Sequence, residues 1–407
     1  MEEQRKSELI PSLLQNHPHR PAAQQGSQQV LGDEKSTRHP VFELSQAMVN
    51  VPPRLKVIVA RHPAEILKLR PEIENLLTRT GNSDDITRTP TYFLSTIRKY
   101  KEKPFVVAVY CDSKLAGIAY CLKRCLFGIP LGIVECGDWD GHRSMLSSEH
   151  CFNEVLDTVV GTIFRDRFNW LAQVGWLSAT PSVVERALAQ ERSGKMITRA
   201  LSFDVWNDLA LGTNYEEFLA SLGSQTRRNM RYYRRRAESA GWLYVTDIDL
   251  EEAKAAVDLL FPRQEIGKPL AELKVYLQHL AEVPGAFFSG LRNQNGEWIS
   301  IIGGWVKGAN VFIRLQLNDA SYAKESVSVV LRGYVIEKAI ETGARRMRFL
   351  AGCEGVLKKY CRFRVSHLVV QKRSYLSRLR GRIFCRLYRS SKIGCLFNDS
   401  ENGSPIE

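Results

Sequence analysis

The sequence predicts a duplicated mixed α/β fold, with two mixed-sheet units in tandem, and three observations carry that prediction. The chain has 407 residues, more than one ordinary hydrophobic core accommodates and suited to two domains with flanking segments. An element order β-α-α-β-β-β-α-β-α-β is legible up to residue 206 and returns after residue 241. Between the copies lies residues 224–241, a helix-forming stretch ended by Gly241, in which Arg227, Arg228, Arg231, Arg234, Arg235 and Arg236 form a cationic face. Phe218, Leu219, Leu222, Met230 and Tyr233 supply apolar positions at roughly helical spacing. The competing parse, one large α+β domain, requires both repeats of the order to be coincidence.

Residues 1–53 are rich in Gln, His, Pro and Ser, lack a sustained apolar period and end in Pro52-Pro53, so a flexible leader is expected. The first unit, 54–206, opens with a β-rich run at 57–60. A helical pattern through Ile66, Leu69, Ile73, Leu76 and Leu77 follows, and Thr89-Pro90 starts a second helix with Tyr92, Phe93, Ile97 and Tyr100 on its apolar face. Strands are expected at 105–110, 115–121 and 130–135, then the polar loop 137–142 containing Asp138, Asp140 and His142. A helix through Phe152, Val155, Leu156, Val159, Val160 and Ile163 leads to a strand at 170–174; Thr180-Pro181 opens one more helix, and a strand at 196–205 closes the unit.

The second unit, 214–373, repeats the order behind the arginine helix. A strand at 242–245 precedes helical patterns at 250–260 and 270–280. Residues 286–291 and 298–302 form a hairpin across Asn293-Gln294-Asn295-Gly296. Residues 311–317 alternate as a fourth strand, 327–342 read as a helix ended by Gly343, and strands at 347–350 and 365–370 finish the unit. Residues 374–407 are a separate basic tail.

An apolar content of 44% with 25% charged residues is that of an ordinary globular protein. No apolar run reaches the roughly 18 residues that span a bilayer, and Met1-Glu2-Glu3-Gln4-Arg5-Lys6 lacks the apolar core of a secretion signal, so a cytoplasmic location is expected. The nine cysteines are scattered and odd in number, which indicates neither a disulfide framework nor paired metal ligands. The net charge of +13 is concentrated: from Gly355 to Asn398 there is no Asp or Glu against twelve Lys and Arg. Such a block favours an anionic partner. Within it Leu376, Leu379, Ile383 and Leu387, with Phe384 and Tyr388, pattern as a basic amphipathic helix. It lies on an anionic membrane surface through residues 374–396, at the inner membrane face, or packs on the second unit with its arginines outward.

The run Phe218-Leu219-Ala220-Ser221-Leu222, then Arg227-Arg228-Asn229-Met230-Arg231 and 234–241, resembles the entry to the second domain of the CelD-like (BioF2-like) acetyltransferases. The resemblance continues through 319–328 and 343–352 and covers about 54–373. Those enzymes are tandem members of the GNAT acyl-CoA transferase superfamily, related to the Fem-type aminoacyl transferases. The resemblance therefore implies a duplicated GNAT acyl-CoA N-acyltransferase fold, acetyl-CoA or another acyl-CoA as co-substrate, no metal, and a small-molecule or saccharide acceptor. At the equivalent turn of the first unit, residues 141–148 hold no glycine-rich cradle, so a degenerate partner unit that walls the cleft is expected.

In that fold an anionic pyrophosphate lies on backbone amides after the fourth strand, here 319–328, where exposed N–H groups and the positive dipole end need no dedicated side chain. Lys324 adds charge there, Ser326 and Ser328 cap the helix or donate to a phosphate, and Ser326-Val327-Ser328 stands where the family has Ser-Pro-Gly. Acyl transfer needs a proton acceptor, carbonyl polarisation and a donor to the leaving thiolate. Asp319 and Glu354 are the candidate bases and Tyr360 the candidate donor. Residues 352–360 resemble the family's Gly-x-Glu-x-Tyr-Lys segment, and Lys358 is the carried-over lysine, facing a phosphate or an acidic acceptor. Asp138, Asp140, Arg228 and Arg231 are candidate acceptor contacts.

The arginine face leaves two readings open: a docking face for a phosphorylated ligand or nucleic acid, or a solvated helix with structural ion pairs. The leading function is an acyl-CoA-dependent transferase. The alternatives are a Fem-type transferase docking transfer RNA on that helix, and a non-catalytic protein binding an anionic polymer or membrane.

Overall fold

In a computed structural model the described residues are 55–100, 103–126, 129–137, 145–178, 196–263, 270–350 and 352–373. Asp138, Asp140, the helix expected after Thr180-Pro181, the leader and the tail 374–407 lie outside them.

The first copy contributes β1 (Leu55–Ala60), α1 (Pro63–Lys68), α2 (Arg70–Arg79), α3 (Pro90–Tyr100), β2 (Lys103–Cys111), β3 (Lys114–Leu126), β4 (Ile129–Cys136), β5 (Met145–Ser147), α4 (Phe152–Arg165), β6 (Leu171–Ser178) and β7 (Met196–Trp206). The single helix expected over 66–77 is two, divided at Leu69, because Pro71 in the first turn of α2 cannot donate an amide to a continuous helix. Then come β8 (Asp208–Ala210), α5 (Tyr215–Ser221) and the arginine helix α6 (Ser224–Ser239). The second copy follows as β9 (Leu243–Val245), α7 (Leu250–Leu260), α8 (Leu270–Ala281), β10 (Ala286–Arg292), β11 (Trp298–Lys307), β12 (Asn310–Asn318), α9 (Val327–Glu341), β13 (Arg346–Phe349) and β14 (Arg362–Lys372).

The strands build two sheets, β1-β2-β3-β4-β6-β14-β7, with β5 on β3, and β8-β13-β12-β11-β10-β9. Each sheet has one parallel pair among antiparallel neighbours, β4 with β6 and β12 with β13. The duplication is thus visible strand for strand. Sheet membership departs from chain order at one place, where the copies exchange strands. β14, expected to finish the second unit's sheet, pairs antiparallel with β6 and β7 in the first. β8, where the sequence pattern predicts no strand, pairs with β13 in the second. β14 has six successive buried residues, Val365 to Val370, which fit a strand covered on both faces.

Apolar faces place the helices. Ile66, Ile73, Leu76 and Leu77 pack with Phe93 over β1–β3 on one side, and Val155, Leu156, Val159 and Ile163 of α4 cover the other. In the second sheet α7 and α8 cover one face, while α5, α6 and α9 cover the other.

The copies are fastened to each other. Asp84 accepts from the Ala309 amide at 3.0 Å, and Gly308, with φ +54, leaves no room for a Cβ, which would sit 2.0 Å from the Asp84 carboxylate. Arg348 pairs with the buried Asp85 at 2.8 Å. The fully buried Trp305 meets Tyr92 of α3 edge-on at 5.3 Å and donates to the Leu280 carbonyl at 3.0 Å.

Candidate acyl-transfer site

The parallel pair of the second sheet holds register only from Asn310↔Arg346 to Ile313↔Phe349, with one further amide bond from Leu350 to the Ile313 carbonyl, 2.9 Å. A register shift between Gly303 and Gly304 inserts Arg314 as an extra residue in β12, and such a bulge bends a strand away from its neighbour. Beyond it β12 runs on to Asn318 without β13.

Side chains bridge the opening. Arg332, on α9, donates from Nε to Gln316 Oε1 at 2.7 Å and from Nη1 to the Glu354 carbonyl at 2.6 Å. Gln316 in turn donates to the Ser328 carbonyl at 3.3 Å and to Asn318 Oδ1 at 3.2 Å. One polar chain therefore runs from the first turn of α9, across the diverging strands, to the segment after β13. Burial lowers the pKa of Arg332, an effect opposed by Cys353, Cys361 and Glu354 around it. Cys361 hydrogen-bonds to Cys353 and, with Arg332, holds the Cys353 thiol below its ordinary pKa, while Cys361 itself is raised.

At the near end of this chain, Asp319 follows β12 as the N-cap of a 3-10 turn, Ala320–Glu325. Its Oδ1 accepts from the Ser321 amide at 2.9 Å and the Ser321 hydroxyl at 2.6 Å, and its Oδ2 pairs with Arg263 at 3.0 Å. Burial pushes the carboxyl up, but the Ser321 bonds and Arg263 outweigh it and hold the pKa below the usual carboxylate range. Ser326 adopts the left-handed conformation, φ 52, and turns the chain into α9. No side chain among the described residues caps α9 there, so the serine acts through its backbone, with Val327 buried and Ser328 half-buried behind it. Lys324 is exposed beside this helix start.

At the far end, Gln225, Thr226 and Asn229 of α6 face Gly355, Val356, Lys358 and Lys359 across an open cleft of about 420 Å³. Glu354 is exposed and pairs with Lys358 at 3.2 Å. Tyr360 points its hydroxyl at the start of α6, accepting from the Gly223 amide at 2.7 Å and donating to Thr226 at 3.3 Å. Burial raises the phenol pKa, but Thr226, the Gly223 amide and Lys359 bring it below its ordinary value. Arg228 bonds Gln225 on the same rim, while Arg231 is paired with Glu216.

The predicted residues thus fall into two groups. Lys358 lines the cleft, and Glu354, Tyr360 and Arg228 each bond a residue that lines it; Asp319, Lys324, Ser326, Val327 and Ser328 gather at the start of α9. The residues that join them, Gln316 and Arg332, are not among those the sequence pattern singles out. A signal is present nonetheless: Arg332 is the lone charge behind the apolar opening of α9, Val327-Ser328-Val329-Val330-Leu331.

The arrangement is a mixed α+β fold built on two mixed sheets of like plan. Residues 224–358 match the family model described as an acetyltransferase (GNAT) domain. Among solved structures, the crystal structure of FemX is 11% identical, with 74% of this chain and 95% of that chain covered and a TM-score of 0.54. A tandem GNAT protein from the clavulanic acid biosynthesis pathway is 9% identical over 78% and 98% of the two chains, with a TM-score of 0.48. L-PGS from Bacillus licheniformis is 12% identical over 76% and 94%, with a TM-score of 0.45. At that identity the likeness to FemX is one of fold. No curated protein sequence matches the chain. Among the described residues no helix is long and apolar enough to cross a membrane.

Proposed function

We propose that the chain is an acyl-CoA-dependent acyltransferase, acting with acetyl-CoA or a close analogue on an amine or hydroxyl of a small molecule or saccharide precursor. The observation that carries this reading is the divergence of β12 from β13 beyond Ile313, inside the stretch that matches an acetyltransferase family model. The uncapped start of α9 fits the co-substrate's phosphates, since its free amides and positive dipole end favour an anion. Val327 and Ser328 amides would hold them, with Lys324 adding charge. When bound, the acyl thioester supplies an activated carbonyl.

The chain's own groups supply the rest. Tyr360, with its lowered pKa, is the proton donor for the departing thiolate. Glu354, exposed and held only through Lys358 and its carbonyl, is better suited as the base than Asp319, whose oxygens are already engaged. Arg228 and Lys358 present positive charge to an acceptor at the cleft rim.

Thiol release from acetyl-CoA, followed with a panel of amine and hydroxyl acceptors, tests this reading. Lys324→Glu is expected to weaken acetyl-CoA binding about tenfold, the scale of removing one charge-assisted hydrogen bond to a phosphate. Unchanged affinity in that variant removes Lys324 from the site, and no binding by the folded wild type removes the reading itself.

A second reading draws on the arginine helix. Arg228 and Arg235 are exposed without a carboxylate partner among the described residues, and Tyr232 between them is 50% exposed. That face suits a phosphate backbone, as for a Fem-type aminoacyl-tRNA-dependent transferase or a non-catalytic binder of an anionic polymer. Gel shifts with charged transfer RNA that weaken with salt and with both arginines replaced by glutamine favour it; insensitivity to both ends it. Liposome flotation of the full chain against one ending at Arg373 tests a membrane role for 374–396.

A further inference from the structure

The cleft between α6 and the 3-10 turn Gly355–Tyr360 has a one-sided hydrogen-bonding character: its side chains offer donors, while their oxygens are already engaged. The reason starts at Arg228. A guanidinium can only donate, so its bond from Nη2 to Gln225 Oε1 fixes which way that carboxamide points. Gln225 Nε2 is thereby turned to Asn229 Oδ1, which accepts from it at 2.9 Å. Asn229, half-buried, is left presenting Nδ2, a donor group without an acceptor among the described residues. The Thr226 hydroxyl oxygen accepts from Tyr360 at 3.3 Å.

Charge points the same way. Lys358 and Lys359 stand on the opposite wall, and no Asp or Glu lines the cleft. Lys359 is exposed, without a carboxylate partner among the described residues, and its Nζ lies 5.0 Å from the centre of the Tyr360 ring. Glu354 lies outside the lining and is held by Lys358 at 3.2 Å. A wall of N–H donors with excess positive charge is satisfied by a group that only accepts and is itself negative, a carboxylate or a phosphate monoester. A hydroxyl or neutral amide would bring donors of its own that find no oxygen there. The cleft, about 420 Å³, has the size of a small-ligand site.

Resting on the acyl-transfer reading, we propose that the acceptor is a small amine carrying its own anionic group, a carboxylate or phosphate monoester, with that group on Lys359 and Asn229 and its amine toward Glu354. The cleft then selects the acceptor by charge, apart from the co-substrate's phosphates, for which the same reading uses the start of α9.

Calorimetric titration of the full chain, in the absence of any CoA compound, compares D-glucosamine 6-phosphate with D-glucosamine and γ-aminobutyrate with n-butylamine, so that phosphate and carboxylate are separate arms. At least one anionic probe is expected to bind at one site per chain, about tenfold or more tighter than the plain amine, the scale of one charge-assisted hydrogen bond. Lys359→Met should weaken it about tenfold, and Asn229→Asp, which sets a carboxylate in the donor wall at unchanged size, should abolish it. Saturating CoA should leave it unaltered. No binding of either anionic probe, equal affinity for anionic and plain amines, indifference to both substitutions, or displacement of the probe by CoA overturns the proposal. Thiol release from acetyl-CoA separates the two claims. Anion-selective binding with no release over the whole acceptor panel contradicts acyl transfer and leaves anion recognition standing, whereas release with plain amines in preference to anionic ones contradicts anion recognition alone.

Discussion

The two copies share a plan and differ in what their parallel pairs do with polar side chains. In the second sheet the pair is four register positions long, opens beyond Ile313, and its polar groups satisfy one another through Gln316 and Arg332 out to an exposed cleft. In the first, the pair runs Ile133↔Leu171 to Cys136↔Val174, and β6 is held along its other edge by β14 to its last residue. Its polar groups, Glu135 and Gln173, are buried and incompletely satisfied. Both pairs are four register positions long and both leave one strand running on, so one backbone architecture carries an internally bridged polar chain in one copy and an incompletely satisfied buried polar pair in the other. Function resides in these side chains and not in the fold they share.

The largest effect is expected where the two copies touch. Trp305→Ala removes a fully buried side chain packed on Tyr92 and His279 and is expected to cost about 4 kcal/mol in urea unfolding. A loss below about 1 kcal/mol would mean that the junction is plastic.

The exchanged strand provides a pH test. Burial lowers the pKa of His367, on β14, to about 4 from 6.5. The unfolded chain then binds the proton more readily, so this contribution to stability is complete above pH 6.5 and is lost as the pH falls toward 4, by roughly 3 kcal/mol. Stability curves of wild type and His367→Gln should converge on acidification through that window. Parallel curves would contradict a buried neutral imidazole.

Within the second sheet, Arg332→Met leaves Gln316 and the Glu354 carbonyl without their donor, and a loss of about 2 kcal/mol is expected by chemical denaturation. The smallest effect belongs to Tyr360→Phe, which deletes the acceptor of the Gly223 amide for about 1 kcal/mol. A pH titration of its phenol absorbance should locate Tyr360 below free tyrosine, because the ionised form is the one Thr226, Gly223 and Lys359 favour.

How far the sequence foretells this follows from the range of each signal. The repeated order of elements is legible because apolar period, Thr-Pro starts and glycine stops are local. The strand exchange is not, since the apolar run Val365 to Val370 announces a buried strand without naming its neighbours, and β8 is only three residues long. Lys358, Tyr360 and Arg228 are legible as charged or polar residues beside a family-like motif, and the fold sets Lys358 in the cleft and the other two against residues that line it. Glu135 and Gln173 leave a fainter trace: each is the single polar residue within an apolar stretch, Ile133-Val134-Glu135-Cys136 and Leu171-Ala172-Gln173-Val174. That the two occupy the same slot becomes visible only once β4 and β6 are known to pair in parallel.

We propose that the second copy alone receives the acyl donor. Calorimetric titration of acetyl-CoA into the wild type, Lys324→Glu and Glu135→Gln tests it most directly. One site per chain is expected, weakened by the change at the start of α9 and untouched by the change in the first sheet. Binding abolished by Glu135→Gln and indifferent to Lys324→Glu would contradict it.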